Sequence, residues 1–149
     1  MTSTQNLRAA TAQQGVRDIL SNFRLQNECS YTQILASLSS VGFGLTLENA
    51  HASNYAMILR DPSEPGKFRY QLFDSLGFST HGTRDSVEDV IRALVSMGFR
   101  TIADPTTLDR LSSTKEWAMG MVRVDVIRQV NNGQISWEEG VRLVLEATK

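Results

Sequence analysis

A chain of 149 residues, 41% hydrophobic and 21% charged with a formal net charge of −1, can bury a sizeable core as one domain without staples. Its composition excludes a disordered tail, a disulfide scaffold and a fibrous repeat. The near-neutral charge excludes a nucleic-acid binder driven by bulk charge and leaves open only a local basic face.

Residues 1–6 are rich in Ser, Thr and Gln and are expected to fray. The stretch from Met1 to Gln14 lacks the apolar centre of a secretory signal peptide, and the apolar runs are too short to span a bilayer. Cys29 is the single cysteine, so no intramolecular disulfide is possible, and nothing beside it in sequence argues for a reactive thiol. These features place the chain by default in a reducing compartment, the cytoplasm, with no membrane partner.

Val16, Ile19, Leu20 and Phe23 recur at helical spacing and predict an amphipathic helix over Leu7–Leu25, weakened by Gly15. A second helix is predicted from Ser30, with Gln33 completing a capping box, Tyr31, Ile34, Leu35 and Leu38 as its apolar face, and Gly42 as its stop. The period then changes. Phe43, Leu45 and Leu47 alternate with Gly44, Thr46 and Glu48, as in a half-buried strand. Tyr55–Leu59 is apolar on both faces and reads as a central strand. Asp61-Pro62-Ser63-Glu64-Pro65-Gly66 is a turn, after which Phe68, Tyr70 and Leu72 alternate with Lys67, Arg69 and Gln71 to complete a hairpin. Leu76–Thr80 predicts a short fourth strand.

From Asp85 the helical period returns. Asp85 and Glu88 read as a capping box, Val87, Val90, Ile91 and Leu94 as a stripe, and Gly98 as the stop. Phe99–Ile102 has the pattern of a return to the sheet. Asp104-Pro105 starts a short helix with Leu108 and Leu111. Ser113 and Glu116 open another through Trp117, Met121, Val124 and Ile127, and Ser136 with Glu139 opens the last, carrying Trp137, Val141, Val144 and Leu145. The expected fold is a single α+β domain over residues 1–149. A three- to four-stranded antiparallel meander is packed by a helix, preceded by two helices and followed by a helical tail.

Asn132-Gly133-Gln134-Ile135-Ser136-Trp137-Glu138-Glu139 resembles the second half of an EF-hand calcium loop, with Gly133 at the sixth position and Glu139 at the twelfth. The first half is absent, since Arg128 and Val130 stand where hard oxygen ligands belong. The segment therefore reads as a tight turn between two helices, with no metal and no cofactor. His51 and His81 lie in polar, loop-like settings without a nucleophile elbow, so a hydrolase-type enzyme centred on His81 ranks third among the readings. Gly42-Phe43-Gly44 lacks the lysine and helix start of a phosphate cradle.

Two surfaces remain. The hairpin is expected to turn Arg60, Lys67, Arg69 and Phe73 outward together, a small basic face with one aromatic that suits nucleic acid. The helix around Trp117–Val130 is apolar on two sides, and Trp117, Met119 and Met121, joined by Phe73, suit a protein interface or self-association. The sequence thus points first to a non-catalytic protein-binding protein of adaptor, chaperone or inhibitor type, and second to a nucleic-acid binder.

Overall fold

The computed structural model describes residues 3–149, so the fraying expected at the N-terminus falls in part outside the described residues; Ser3 to Asn6 are helical. The chain runs α1 (Ser3–Val41), β1 (Thr46–Asn49), β2 (Asn54–Arg60), β3 (Phe68–Asp74), β4 (Gly77–Arg84), α2 (Val87–Ser96), β5 (Thr101–Ile102), α3 (Thr107–Ser112), α4 (Lys115–Asn131) and α5 (Trp137–Ala147). The strands form one antiparallel sheet in the order β4-β3-β2-β1-β5.

This corrects the expected fold in two respects. The sheet has five strands rather than three or four, and one long helix stands where two N-terminal helices were expected. Nothing between Leu25 and Ser30 breaks a helix: the segment holds neither glycine nor proline, and the predicted cap at Ser30 lies mid-helix. The hydroxyls of Thr11, Thr32 and Ser39 bond back to carbonyls four residues before them, as interior helical residues do. The fifth strand is two residues pairing with Leu47 and Glu48; it falls within the Phe99–Ile102 return to the sheet, which the count of three to four strands left out.

The sheet has two differently covered faces. On one, Leu45, Leu47, Ala56, Ile58 and Tyr70 pack with Ile34 and Leu38 of α1 and with Val90, Ile91, Leu94 and Val95 of α2. On the other, Phe73 stacks on Tyr55 and meets Phe78 and Trp117 edge to face, so that α4 closes this end of the sheet. A bulge between Gln71 and Phe73 resets the pairing with β4, opposing Gln71 to His81 and Phe73 to Phe78.

Three helix starts follow the hydroxyl rule, two of them displaced by one residue. Ser86 rather than Asp85 caps α2, accepting from the N–H of Asp89, and Thr114 rather than Ser113 caps α4, accepting from the N–H of Trp117. Ser136 caps α5 as expected. Helices α2 and α4 both end in a Schellman turn. Gly98 and Gly133 take φ of 101° and 70°, and the following N–H groups of Phe99 and Gln134 reach back to Leu94 and Gln129.

Candidate docking surfaces

The EF-hand-like segment is the turn between α4 and α5. Gly133 supplies the positive φ of the Schellman motif and Ser136 caps the next helix, so these residue types serve backbone geometry. Among the described residues no group of three His, Cys, Asp or Glu side chains converges as metal ligands. His81 is exposed on β4, opposite Gln71. Cys29 is exposed in the middle of α1, away from any helix end.

The four residues expected to form a basic hairpin face do not share one. Arg60 pairs opposite Phe68 and has the parity of Ala56 and Ile58, whereas Arg69 and Phe73 point to the other side. The guanidinium of Arg60 lies 4.8 Å from the ring centre of Phe43, which in turn stacks on Phe68. Lys67 contacts Glu64 at 3.6 Å and Asp85 at 3.5 Å, and these charges raise its pKa, Glu64 the more. Arg69 is largely buried against Asp61, 3.3 Å away. Phe73 is fully buried.

Asp61 is the hub of the hairpin. Its carboxylate accepts from the N–H and hydroxyl of Ser63, the N–H of Glu64, the Thr83 hydroxyl at 2.6 Å and Arg69 Nε. The Thr83 and Ser63 hydroxyls, ahead of the backbone donors, hold its carboxyl far below the usual carboxylate range. Arg69 therefore closes the Pro62–Gly66 turn.

The apolar helix α4 lies between two layers. Trp117 is buried at the sheet, and Met121 sits over Gly77. On the opposite side Val126 and Val130 crowd against Gly140 of α5, where a Cβ would come within 2.9 Å of Val130 Cγ2. Met119 and Met121 are half-buried. Trp117 and Phe73 thus meet each other, with almost no surface left for a partner.

Two stretches of open apolar surface stand elsewhere among the described residues. The first is the N-terminal part of α1. Every residue from Ser3 to Gln26 is exposed, including Val16 at 57%, Ile19 at 69%, Leu20 at 52% and Phe23 at 48%. The stripe continues the one that enters the core as Tyr31, Ile34 and Leu38, spaced at three and four residues. The ties to the domain at the base of this stretch are Arg100, which donates to Asn27 at 3.1 Å and lies over the Phe23 ring, and Arg92, which pairs with Glu28. Beyond them the helix is an arm about 30 Å long, at 1.5 Å per residue.

The second is a groove of about 320 Å³ between α4 and α5, whose floor is Val126, Val130 and Gly140. Its walls expose Ile127, Trp137, Val141 and Leu145. The sequence displayed both sets of apolar residues. Sequence reasoning missed their exposure because nothing local distinguishes a stripe that is covered from one that is not.

Comparison with known proteins adds no further constraint. No family model matches the chain, and neither a curated protein nor a solved structure matches it. Among the described residues no helix is long and apolar enough to cross a membrane.

Proposed function

We propose that this chain is a non-catalytic protein-binding protein that works by docking. The observation that carries this reading is the arm of α1. Helices in proteins owe most of their stability to packing of an amphipathic face, yet this one displays four large apolar side chains on a single exposed face, of which Phe23 alone is described with a contact, under Arg100. Soluble proteins rarely leave such a surface uncovered. The docking residues in this reading are Val16, Ile19, Leu20 and Phe23, in place of Trp117, Met119, Met121 and Phe73, which are buried or half-buried. The alternative of a basic hairpin face for nucleic acid gains no support from Arg60, Lys67 and Arg69, which are respectively turned to the other side, paired with carboxylates and largely buried.

The test is co-purification with the tagged full chain after nuclease treatment, comparing the wild type with an Ile19→Glu/Leu20→Glu variant. The expected result is a stoichiometric protein, which includes the possibility of an untagged copy of the chain itself, present with the wild type and lost with the variant. Equal recovery by both proteins, or recovery of nucleic acid alone, would overturn the reading.

A further inference from the structure

Resting on that reading, we infer that the partner of the arm is a second copy of this chain, and that the arm of each copy lies in the α4–α5 groove of the other. Three observations select this occupant.

The first is charge. The exposed part of α1, residues 3–26, carries Arg8, Arg17 and Arg24 against Asp18, a net +2, whereas α5 carries Glu138, Glu139 and Glu146 against Arg142, a net −2. The unpaired charges also match in position. Glu139 and Glu146 are held by Arg142, but among the described residues Glu138 has no cationic partner, and it shares a helix face with Val141 and Leu145 at spacings of three and seven. Arg17 and Arg24 flank Leu20 at spacings of three and four, and they too enter no ion pair among the described residues. Arg123 lines the groove and carries the charge opposite to Asp18, the remaining charge of the arm.

The second is topology. The arm leaves the domain from the face of the sheet covered by α1 and α2, while α4 packs on the other face and α5 packs on α4. A chain cannot lay its own arm in its own groove without unwinding α1. A two-fold pair can, and each arm and each groove is then used once, so the assembly closes.

The third is the poor fit of arm against arm. Two copies of α1 aligned in parallel through the Val16–Phe23 stripe would bring Arg17 and Arg24 against their own equivalents, like charges that oppose pairing.

The experiment is analytical ultracentrifugation of the purified full chain at micromolar concentrations, with Leu20→Glu in the arm and Val141→Glu in the groove. Both positions are solvent-exposed in the single chain, so both variants should retain wild-type circular dichroism and, at dilutions where all three proteins are monomeric, the wild-type unfolding temperature. The wild type should be a dimer, and each single variant should raise the dissociation constant by about tenfold or more. Mixing the two variants should restore a heterodimer, because the intact arm of one meets the intact groove of the other. Glu138→Arg should likewise weaken the dimer, and Arg24→Glu in the same chain should recover part of the loss. A monomeric wild type overturns the inference while leaving the docking reading to its own co-purification test. Dimer loss with Leu20→Glu alone, unaffected by Val141→Glu, overturns it in favour of arm–arm pairing. Binding of a monomeric wild type to anionic phospholipid vesicles overturns it in favour of a lipid surface.

Discussion

Gly120 of α4 presses against the backbone of Leu76 in the β3–β4 turn. A Cβ on Gly120 would overlap the carbonyl oxygen of Leu76 and stand 2.6 Å from its carbonyl carbon and 2.9 Å from its Cα. The absence of a side chain at this one helical position allows α4 to approach the sheet closely enough for Trp117 to reach Phe73 and Phe78. The atoms in the way are main chain, which cannot swing aside.

Gly120→Ala should therefore destabilise the fold by about 3 kcal/mol, at the upper end of overpacking effects and despite the helix propensity gained by alanine. Urea unfolding followed by Trp fluorescence measures it. A variant as stable as the wild type would show that α4 has freedom to move away from the turn.

Trp117→Ala or Phe73→Ala should each cost about 3–5 kcal/mol of unfolding free energy, as large aromatic truncations in a core do. Leu20→Ala on the exposed arm should change it by less than about 0.5 kcal/mol at dilutions where the chain is monomeric. Thermal denaturation of the three variants side by side separates core residues from docking residues. Parity between Trp117→Ala and Leu20→Ala would contradict the burial described.

The outcome of the sequence reading turns on which physics is local. Ser136, Gly98 and Gly133 were legible as helix boundaries because a cap or a left-handed residue is decided within a few residues. At Asp85-Ser86 and Ser113-Thr114 two capping side chains stand in a row, and the choice between them depends on where the packed helix begins. Ser30 had the chemistry of a cap but lay inside a helix whose flanks had no reason to stop. Arg60 was assigned to the wrong face because the turn from Asp61 to Lys67 sets the register of β2 against β3, and a slip of one residue reverses every side chain. Gly120 carried no visible signal, since a glycine within a helix reads as a mere weakness until the facing carbonyl is seen. The surfaces followed the same logic: apolar character was visible at Trp117 and at Leu20 alike, but which of the two is covered is a property of the whole fold.

Asp61→Asn isolates the hairpin hub through its pH dependence. The carboxyl of Asp61 is held below its ordinary value of about 3.9 by the Thr83 and Ser63 hydroxyls. A group so depressed contributes stability that is fully present above the unfolded-state pKa and is lost as pH falls through the folded-state value. The deficit of the variant relative to the wild type should thus be constant from neutral pH down to about pH 5 and shrink progressively below about pH 4. Melting temperatures of both proteins across that range supply the check, and a deficit that does not change with pH would rule out the ionised hub.

Helix α1 should be graded in stability along its length. Backbone amides of Ile34 to Val41, packed on the core, should exchange with solvent at the rate of global opening, and those of Ser3 to about Leu20 should exchange many times faster in the monomer. Hydrogen exchange read residue by residue tests this, and uniform protection along α1 at dilutions where the chain is monomeric would count against a free arm.

Ser136→Ala should lower stability by about 1 kcal/mol through loss of the bond to the Glu139 N–H. Millimolar calcium should leave the melting temperature of wild type and variant unchanged. A calcium-dependent rise in either would mean that the α4–α5 turn holds a cation after all.

Because α1 passes from core to solvent without a hinge, it also has the properties of a lever. The arm extends about 30 Å past Arg100 and Asn27, so each degree of tilt in its seat displaces the tip by about 0.5 Å. Small adjustments among Ile34, Leu38 and the residues of α2 are thereby magnified at the far end. In the opposite direction, capture of the tip exerts torque on the seat, where the Arg100–Asn27 hydrogen bond and the Arg92–Glu28 pair act as the fulcrum through which anything holding the arm can be felt by the sheet.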